Sequence, residues 1–326
     1  MSYEALALIV AFAAYTVVNL AASAVTVWIW RSARRDPDRL APGARARGLF
    51  LVRLLPVAAS LMIVAGVVSP AFHLFEPRGQ DEPVGASLAA LALAGVVLIG
   101  LALGRAWQAS RTTRRLVRAW TGGARPLSLT GARIPACAID SDFPVVAIVG
   151  LVRPRLLVAR RVLDACTPRE VGAIVAHERG HLAAFDNLKR LAIRCCPDVL
   201  ALTPAGAAME RDWAKAAEEA ADDHAARSAS ARAADLAGAL VKVARLASGG
   251  ALMPLPASAF YDGGGVERRV RRLLSGATPA TRMPGWLLAA HAFGFVLVLM
   301  AASGAIEPRF LQNVQWVVEL FVAHLP

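Results

Sequence analysis

Residues 167–183 read TPREVGAIVAHERGHLA, and this stretch organises the interpretation of the whole chain. Thr167 is a favoured N-cap residue and Pro168 suits the first helical position. Glu170, three residues after the threonine, completes a capping box. Apolar residues then recur at helical spacing up to Leu182. The stretch therefore predicts a helix that begins just after Thr167.

The sequence His177-Glu178-Arg179-Gly180-His181 has the HExxH spacing of a zinc site. The two histidines stand one turn apart on the predicted helix, so both imidazoles can bind one metal ion. Zinc, one ion per chain, suits such ligands at a site with an open position. Glu178 is the candidate catalytic residue, which takes a proton from the attacking water and passes it to the leaving amine.

Two histidines are too few for this site, and a helix predicted over 208–227 offers further ligands. Its segment 218–224 holds four acids and a histidine: Glu218, Glu219, Asp222, Asp223 and His224. A carboxylate ligand followed one turn later by a carboxylate that orients a ligating histidine is sound metal chemistry. The spacing leaves Glu218 and Glu219 both open as ligands. A solvated acidic face and a three-histidine site with His224 are the alternatives.

Gly180 lies inside the predicted metal-binding helix, where glycine costs about 1 kcal/mol relative to alanine. Two explanations stay open from the sequence. Either the ligand-bearing second helix approaches closely at this position, or the glycine is merely tolerated.

The composition indicates a membrane protein. Hydrophobic residues make up 56% of the 326 residues, against roughly 45–50% apolar residues in soluble proteins. The mean hydropathy is +0.49. Four stretches are apolar and long enough to cross a bilayer. They lie at about 5–30, 54–75, 84–103 and 286–306.

The net charge of +12 is distributed unevenly along the chain. Arginines cluster beside the apolar stretches, which favours a lipid bilayer as the partner of this charge over nucleic acid. The loop 31–49 and the segments that flank the middle region are basic, whereas 76–83 is acidic. The positive-inside rule predicts a multi-pass cell-membrane protein with its N-terminus outside and its middle region in the cytoplasm.

These patterns predict a mainly α membrane protein with four transmembrane helices and a cytoplasmic α+β zincin-like domain. Residues 1–121 hold three transmembrane helices and a basic cytoplasmic loop. Residues 122–284 form the HExxH domain. Residues 285–326 hold the fourth transmembrane helix and a short amphipathic tail, which lies on the membrane or packs on the bundle.

Within the middle domain, the short apolar runs 144–150 and 155–159 predict a β-hairpin. A further helix is predicted over 231–247. The stretch 248–265 is rich in Gly, Pro and Ser and predicts a loop.

HExxH followed by a helical ExxxD is similar to the gluzincin membrane metallopeptidases. Two branches of these peptidases are candidates, the HtpX type and the BlaR/MecR type, and the local sequence resembles the second. The resemblance rests on four segments: 150–158 before the helix, Asp186-Asn187 after it, 218–225, and the basic run 266–274.

The resemblance implies a zinc-dependent endopeptidase with Glu218 as third ligand and with Asp222 and Asp186 orienting the ligands. It implies a protein substrate, a transcriptional repressor in regulatory signalling, which binds by adding a strand beside the catalytic helix. The candidate strand carries Val145, Ala147 and Val149.

The resemblance has a departure and leaves alternatives. The sensor members carry a large extracellular penicillin-binding domain after the fourth span, whereas this chain ends at Pro326. We therefore expect no β-lactam sensing by that route. An HtpX-like quality-control protease for membrane proteins is one alternative. A non-catalytic receptor or scaffold with a structural zinc is another, and its site would be closed by four ligands. The activating signal and the oligomeric state stay open.

Overall fold

The computed structural model describes residues 2–35, 39–77, 84–129, 131–141, 143–228, 232–247, 265–276 and 285–324. The predicted loop at 248–265 lies outside the described residues, apart from Gly265.

The membrane-type helices match the four predicted stretches. They are α1 (Tyr3–Arg34), α2 (Pro42–Ile63), α4 (Ala86–Thr121) and α11 (Gly285–Ile306). A π-helical turn at Val64–Val68 joins α2 to the short α3 (Ser69–Phe75). Four helices, with α2 and α3 counted as one, are long and apolar enough to cross a membrane.

Two of these helices extend far beyond their predicted apolar cores. Helix α2 begins at Pro42 rather than near residue 54, and α4 continues to Thr121 rather than ending near residue 103. Leu49 and Val52 of the α2 extension are buried in one apolar cluster with Met209 and Trp213. Tertiary packing therefore stabilises a helical extension that hydropathy alone does not predict.

A four-stranded sheet opens the middle domain. Its strands are β1 (Arg125–Leu127), β2 (Ala136–Ile139), β3 (Val146–Val149) and β4 (Arg155–Ala159), in the order β1-β2-β4-β3. Strands β3 and β4 pair antiparallel, which confirms the predicted hairpin, and β2 runs parallel to β4. Strand β3 is therefore an edge of the sheet.

Helices follow the sheet and cover it. They are α5 (Arg160–Ala165), α6 (Pro168–Ala183), α7 (Asp186–Arg194), α8 (Pro204–Ala226), α9 (Ala233–Ala247) and α10 (Val266–Ser275), with a 3-10 turn at Val199–Leu202. The buried core joins β3 and β4 to α6 and α9. The fold is thus mainly α, with a small sheet in the middle domain.

The predicted capping box at the start of α6 is confirmed. The Glu170 backbone N–H donates to Thr167 Oγ1 at 3.3 Å, and the Thr167 N–H donates to Glu170 Oε2 at 2.7 Å. Lys242 on α9 also donates to Glu170 Oε2, at 2.7 Å. This cap fixes where α6 begins and therefore where its histidines point.

The C-terminal tail forms α12 (Pro308–His324). Leu311 is buried in one cluster with Val67 and Ala71, which belong to the π-turn and α3. Of the two alternatives for the tail, the structure therefore favours packing on the bundle.

Candidate metal centre

Three predicted ligands converge between α6 and α8. The candidate ligand atoms of His177, His181 and Glu218 all lie within 4.8 Å of one another. The two Nε2 atoms are 3.1 Å apart. Glu218 Oε2 lies 3.5 Å from His177 Nε2, and Glu218 Oε1 lies 3.4 Å from His181 Nε2. All three side chains are buried, so the group forms an enclosed set of two imidazoles and one carboxylate.

The opposite edge of each imidazole contacts a carboxylate. His177 Nδ1 lies 3.0 Å from Asp222 Oδ1, and His181 Nδ1 lies 2.8 Å from Asp186 Oδ2. The hydrogen bond at His181 Nδ1 and the close carboxylate at His177 Nδ1 direct both Nε2 atoms toward Glu218, which is how carboxylates usually orient metal-binding histidines. The structure places both predicted orienting residues beside the histidines, Asp222 at His177 and Asp186 at His181.

Arg269 is a site residue that the sequence interpretation missed. Its Nε and Nη2 donate to the two oxygens of Asp222 at 2.8 and 2.7 Å, and Nη1 lies 3.2 Å from Glu218 Oε2. One guanidinium on α10 thus holds both the candidate ligand and the carboxylate that orients His177. The only hint in the sequence was the basic run 266–274, in which nothing distinguishes Arg269 from its neighbours.

Helix α10 also pairs with the other two acids of the segment 218–224, which excludes the simple solvated acidic face. Arg268 contacts Glu219, and Arg272 donates to Asp223. Arg45, from the extension of α2, donates to Glu219 Oε2 at 2.6 Å. Glu219 is therefore occupied by arginines, whereas Glu218 faces the histidines.

Gly180 and His224 lie where α6 crosses α8. A Cβ on Gly180 would stand 3.0 Å from Ala221 Cα and 3.1 Å from His224 Cβ. Of the two explanations for Gly180, the structure therefore favours the close approach of the second helix. His224 is not part of the ligand group among the described residues.

Glu178 lies beside the ligand group with its carboxylate buried. Neither oxygen has a hydrogen-bond partner among the described residues. Burial raises the pKa of Glu178 to about 7, although the neighbouring His181 and His177 oppose the shift. A carboxyl group with that pKa can both accept and return a proton near neutral pH.

At His181 and Asp222, by contrast, the neighbouring groups favour the charged form of the side chain. Burial opposes charge on His181, but the carboxylates of Glu218 and Asp186 raise its pKa to about 10. Burial also opposes charge on Asp222, but Arg269 lowers the pKa of that carboxyl to about 2. The site therefore concentrates negative charge around the imidazoles, as a cation site requires.

The donor set fits zinc. Two imidazoles and one carboxylate are ligands of catalytic zinc centres, which keep a fourth position open for water or substrate. No fourth His, Cys, Asp or Glu joins the group in the part of the chain that the structure describes. The buried Glu178 carboxylate, with no protein partner there, suits a water held at that open position.

Strand β3 is buried in the same core as α6, and no further strand pairs with its edge away from β4 among the described residues. The Ala159 N–H donates to Val145 O at 2.8 Å, and the register pairs Ala147 with Leu157. By the alternation of antiparallel ladders, Val145, Ala147 and Val149 direct their backbone groups toward β4. The backbone groups of Val146 and Ile148 point to the free edge, where Asn187 Nδ2 donates to Ile148 O at 2.9 Å. We therefore revise the candidate pairing positions to Val146 and Ile148.

Comparison with known proteins agrees with this geometry. Residues 136–291 match the sequence profile of Peptidase family M48, and this range includes α6, α8 and α10. Protease HtpX of Psychrobacter sp. (strain PRwf-1) is 33% identical over 156 residues, which cover 43% of this chain and 51% of the relative. The chain thus spans about half the length of this curated relative. The chain has four helices long and apolar enough to cross a membrane, and its middle region is similar to a peptidase domain. The chain is similar to Peptidase family M48 and to an HtpX-type protease. The resemblance to the BlaR/MecR type stays a prediction.

Proposed function

We propose that this chain is a membrane-bound zinc endopeptidase that cleaves a protein substrate at the cytoplasmic face of the cell membrane. The observation that carries the proposal is the buried His177, His181 and Glu218 group with the unpartnered carboxylate of Glu178 beside it. The similarity to Peptidase family M48 supports the same chemistry.

Each site residue then has a defined task. His177, His181 and Glu218 hold one zinc ion, and Asp222 and Asp186 keep the imidazoles in the ligating tautomer. Zinc, when bound, supplies Lewis-acid polarisation of the scissile carbonyl and of the attacking water. Glu178 accepts the proton of that water and delivers it to the leaving amine.

The substrate backbone adds to the free edge of β3. The outward groups of Val146 and Ile148 offer main-chain hydrogen bonds, and such strand addition is a common mode of peptide recognition. Asn187 already donates to Ile148 O, so it ties the edge strand to the start of α7. This hydrogen bond fixes the position of β3 relative to α7, which follows the helix that carries the two histidines.

Two substrate classes fit the site. The BlaR/MecR-type resemblance favours a transcriptional repressor and a role in regulatory signalling. The similarity to Protease HtpX favours membrane proteins and quality control. Purified protein in liposomes, offered a soluble repressor and an unfolded membrane protein in parallel, distinguishes them by which substrate is cut.

The test of catalysis is E178Q measured beside E267Q. The Glu267 side chain is 85% exposed and pairs with Arg271 one turn away, so it provides a matched glutamate-to-glutamine control. We expect E178Q to lose cleavage by two or more orders of magnitude while zinc content stays near one per chain. E267Q should cleave normally. Cleavage by E178Q at the parental rate would contradict the mechanism and favour a structural zinc.

A further inference from the structure

Two tryptophans mark the level at which the spans leave the membrane on the side of the peptidase domain. Trp30 lies near the end of α1, and Trp286 lies at the start of α11, as interfacial aromatic residues do. Trp30 Nε1 donates to Asp212 Oδ2 on α8 at 2.9 Å. A Cβ on Gly48 would stand 2.5 Å from the Trp286 ring, so Gly48 of α2 lies at the same level.

The connection between α7 and α8 contacts the spans well beyond that level. The Val199 N–H donates to Asn19 Oδ1 at 3.1 Å, and Asn19 lies eleven residues before Trp30, or about 16 Å along α1. Asp198 pairs with Arg53, which lies five residues beyond Gly48, or about 8 Å along α2. Asn19 lies within the apolar stretch of α1, whereas Arg53 lies at the start of the apolar stretch of α2, so the connection reaches the ends of the spans nearest the peptidase domain.

Side chains of the spans satisfy the backbone of this connection. Tyr15 donates to Pro197 O at 2.6 Å. Arg105 on α4 donates to Arg194 O at 3.0 Å and to Cys196 O at 2.9 Å. Irregular backbone at membrane depth is tolerated only where protein supplies its hydrogen bonds. Polar side chains of α1 and α4 supply them here.

The outer side of the same region is apolar. Leu202, in the 3-10 turn, is 56% exposed, and Leu188 on α7 is 53% exposed. Lys189 and Arg190 follow Leu188 on α7, whereas Arg194 pairs with Glu210 at 2.6 Å. Apolar exposure beside basic residues suits the acyl chains and anionic headgroups of a lipid leaflet.

We propose that residues 195–203, with the first two turns of α8, form a re-entrant segment that enters the leaflet on the side of the peptidase domain. Arg53 and Asp198 neutralise each other inside it, which membrane depth requires of ionisable groups. The proposal concerns contact with lipid and does not depend on the reaction at the metal centre.

The re-entrant segment determines how far the metal centre lies from the membrane surface. It is preceded by α7, which begins with Asp186 beside His181, and followed by α8, which carries Glu218. Glu218 lies six residues beyond Asp212, or about 9 Å past the level of Trp30. The metal centre is therefore anchored from both flanks close to the membrane surface.

Photo-crosslinking to lipid tests the segment. The amino acid p-benzoylphenylalanine is placed at Leu202 in the full chain, reconstituted in phosphatidylethanolamine–phosphatidylglycerol liposomes, and lipid adducts are counted by mass spectrometry. Leu93 on α4 and Leu274 on α10, both 64% exposed, are the exposure-matched positive and negative controls. We expect the adduct yield at Leu202 to approach that at Leu93 and to exceed that at Leu274 severalfold.

An adduct yield at Leu202 no higher than at Leu274 would overturn the proposal. Leu188 gives a second position if the Leu202 variant is not recovered in folded form, and zinc content reports folding in each case. The same comparison applies at Leu188, where a yield equal to that at Leu274 also rejects lipid contact.

Discussion

Two nearly inaccessible arginine–aspartate pairs lie in different parts of this molecule. Arg53 and Asp198 face each other among the spans with side chains 2% and 0% exposed. Arg269 and Asp222 face each other beside the metal centre with side chains 5% and 0% exposed. Arg53 serves a single carboxylate, whereas Arg269 serves Asp222 and Glu218, which also contact the histidines. We infer that the first pair sustains the fold and the second positions the metal ligands.

The largest expected effect is the loss of stability in R53M. Removing the guanidinium leaves the Asp198 carboxylate buried without its counter-ion, which costs about 3–5 kcal/mol. Thermal unfolding of the purified protein in detergent measures the change. The double variant R53M/D198N removes both charges and should recover most of the loss. If R53M unfolds at the same temperature as the parent protein, the Arg53–Asp198 pair does not sustain the fold as we infer.

The next effect is the loss of metal affinity in R269M. Without Arg269 the carboxylates of Asp222 and Glu218 lose the guanidinium that orients them, and such loss of outer support costs about 10–100-fold in metal affinity. Competition with a zinc chelator measures affinity, and the absorption spectrum of the Co²⁺-substituted protein reports ligand geometry. R269K should recover part of the affinity, since it restores charge without the paired hydrogen bonds.

R271M provides the matched control for that experiment. Arg271 lies on the same helix, pairs with Glu267 and is 75% exposed. Its zinc affinity and Co²⁺ spectrum should equal those of the parent protein. Equal loss in R271M and R269M would show that α10 acts only through its overall charge.

A smaller effect is expected where α6 crosses α8. In G180A the new Cβ meets Ala221 Cα at 3.0 Å, and overpacking of this kind costs about 1–3 kcal/mol, reduced by about 1 kcal/mol of gained helix propensity. G104A is the control, because nothing lies within 4 Å of a Cβ at Gly104. Chemical denaturation compares the two. Equal stability in both variants would mean that the helix crossing yields without cost.

The smallest effect concerns the cap of α6, which touches neither arginine pair. T167A should lose about 1 kcal/mol. Burial opposes charge on Glu170, but hydrogen bonds from Lys242 and Thr167 lower its pKa below the usual 4.5. A lowered carboxyl pKa stabilises the fold above pH 4.5, and that contribution is lost as the pH falls through the lowered pKa. E170Q should therefore destabilise at pH 7 and have little effect in acid.

Local patterns predicted the parts of the site that lie on one helix. The capping residues Thr167 and Glu170 placed the start of α6, and the spacing of His177 and His181 put both imidazoles on one face. The resemblance singled out Glu218 on a second helix. Arg269 was not identified, because its role depends on where α10 lies against α8, and several neighbouring arginines have the same local sequence context.

Strand pairing in the sheet could not be predicted for a similar reason. Strands β1 (RPL) and β2 (ACAI) lack the run of branched apolar residues that predicted β3 (VAIV) and β4 (RLLVA). The register of β3 could not be read either, since Val145 and Val146 are both apolar and buried. Only the hydrogen bond from Ala159 to Val145 shows which backbone groups face the free edge.

Hydropathy, charge placement and the HExxH spacing were sufficient for the four spans, the metal-binding helix and the class of the domain. These signals are local, because a span must be apolar over its own length and a helix presents residues one turn apart on one face. The tertiary structure alone decided which arginine neutralises which carboxylate and how deeply residues 195–203 reach among the spans. Both depend on contacts between residues far apart in the chain, and burial turns each into a strong constraint by removing water as an alternative partner.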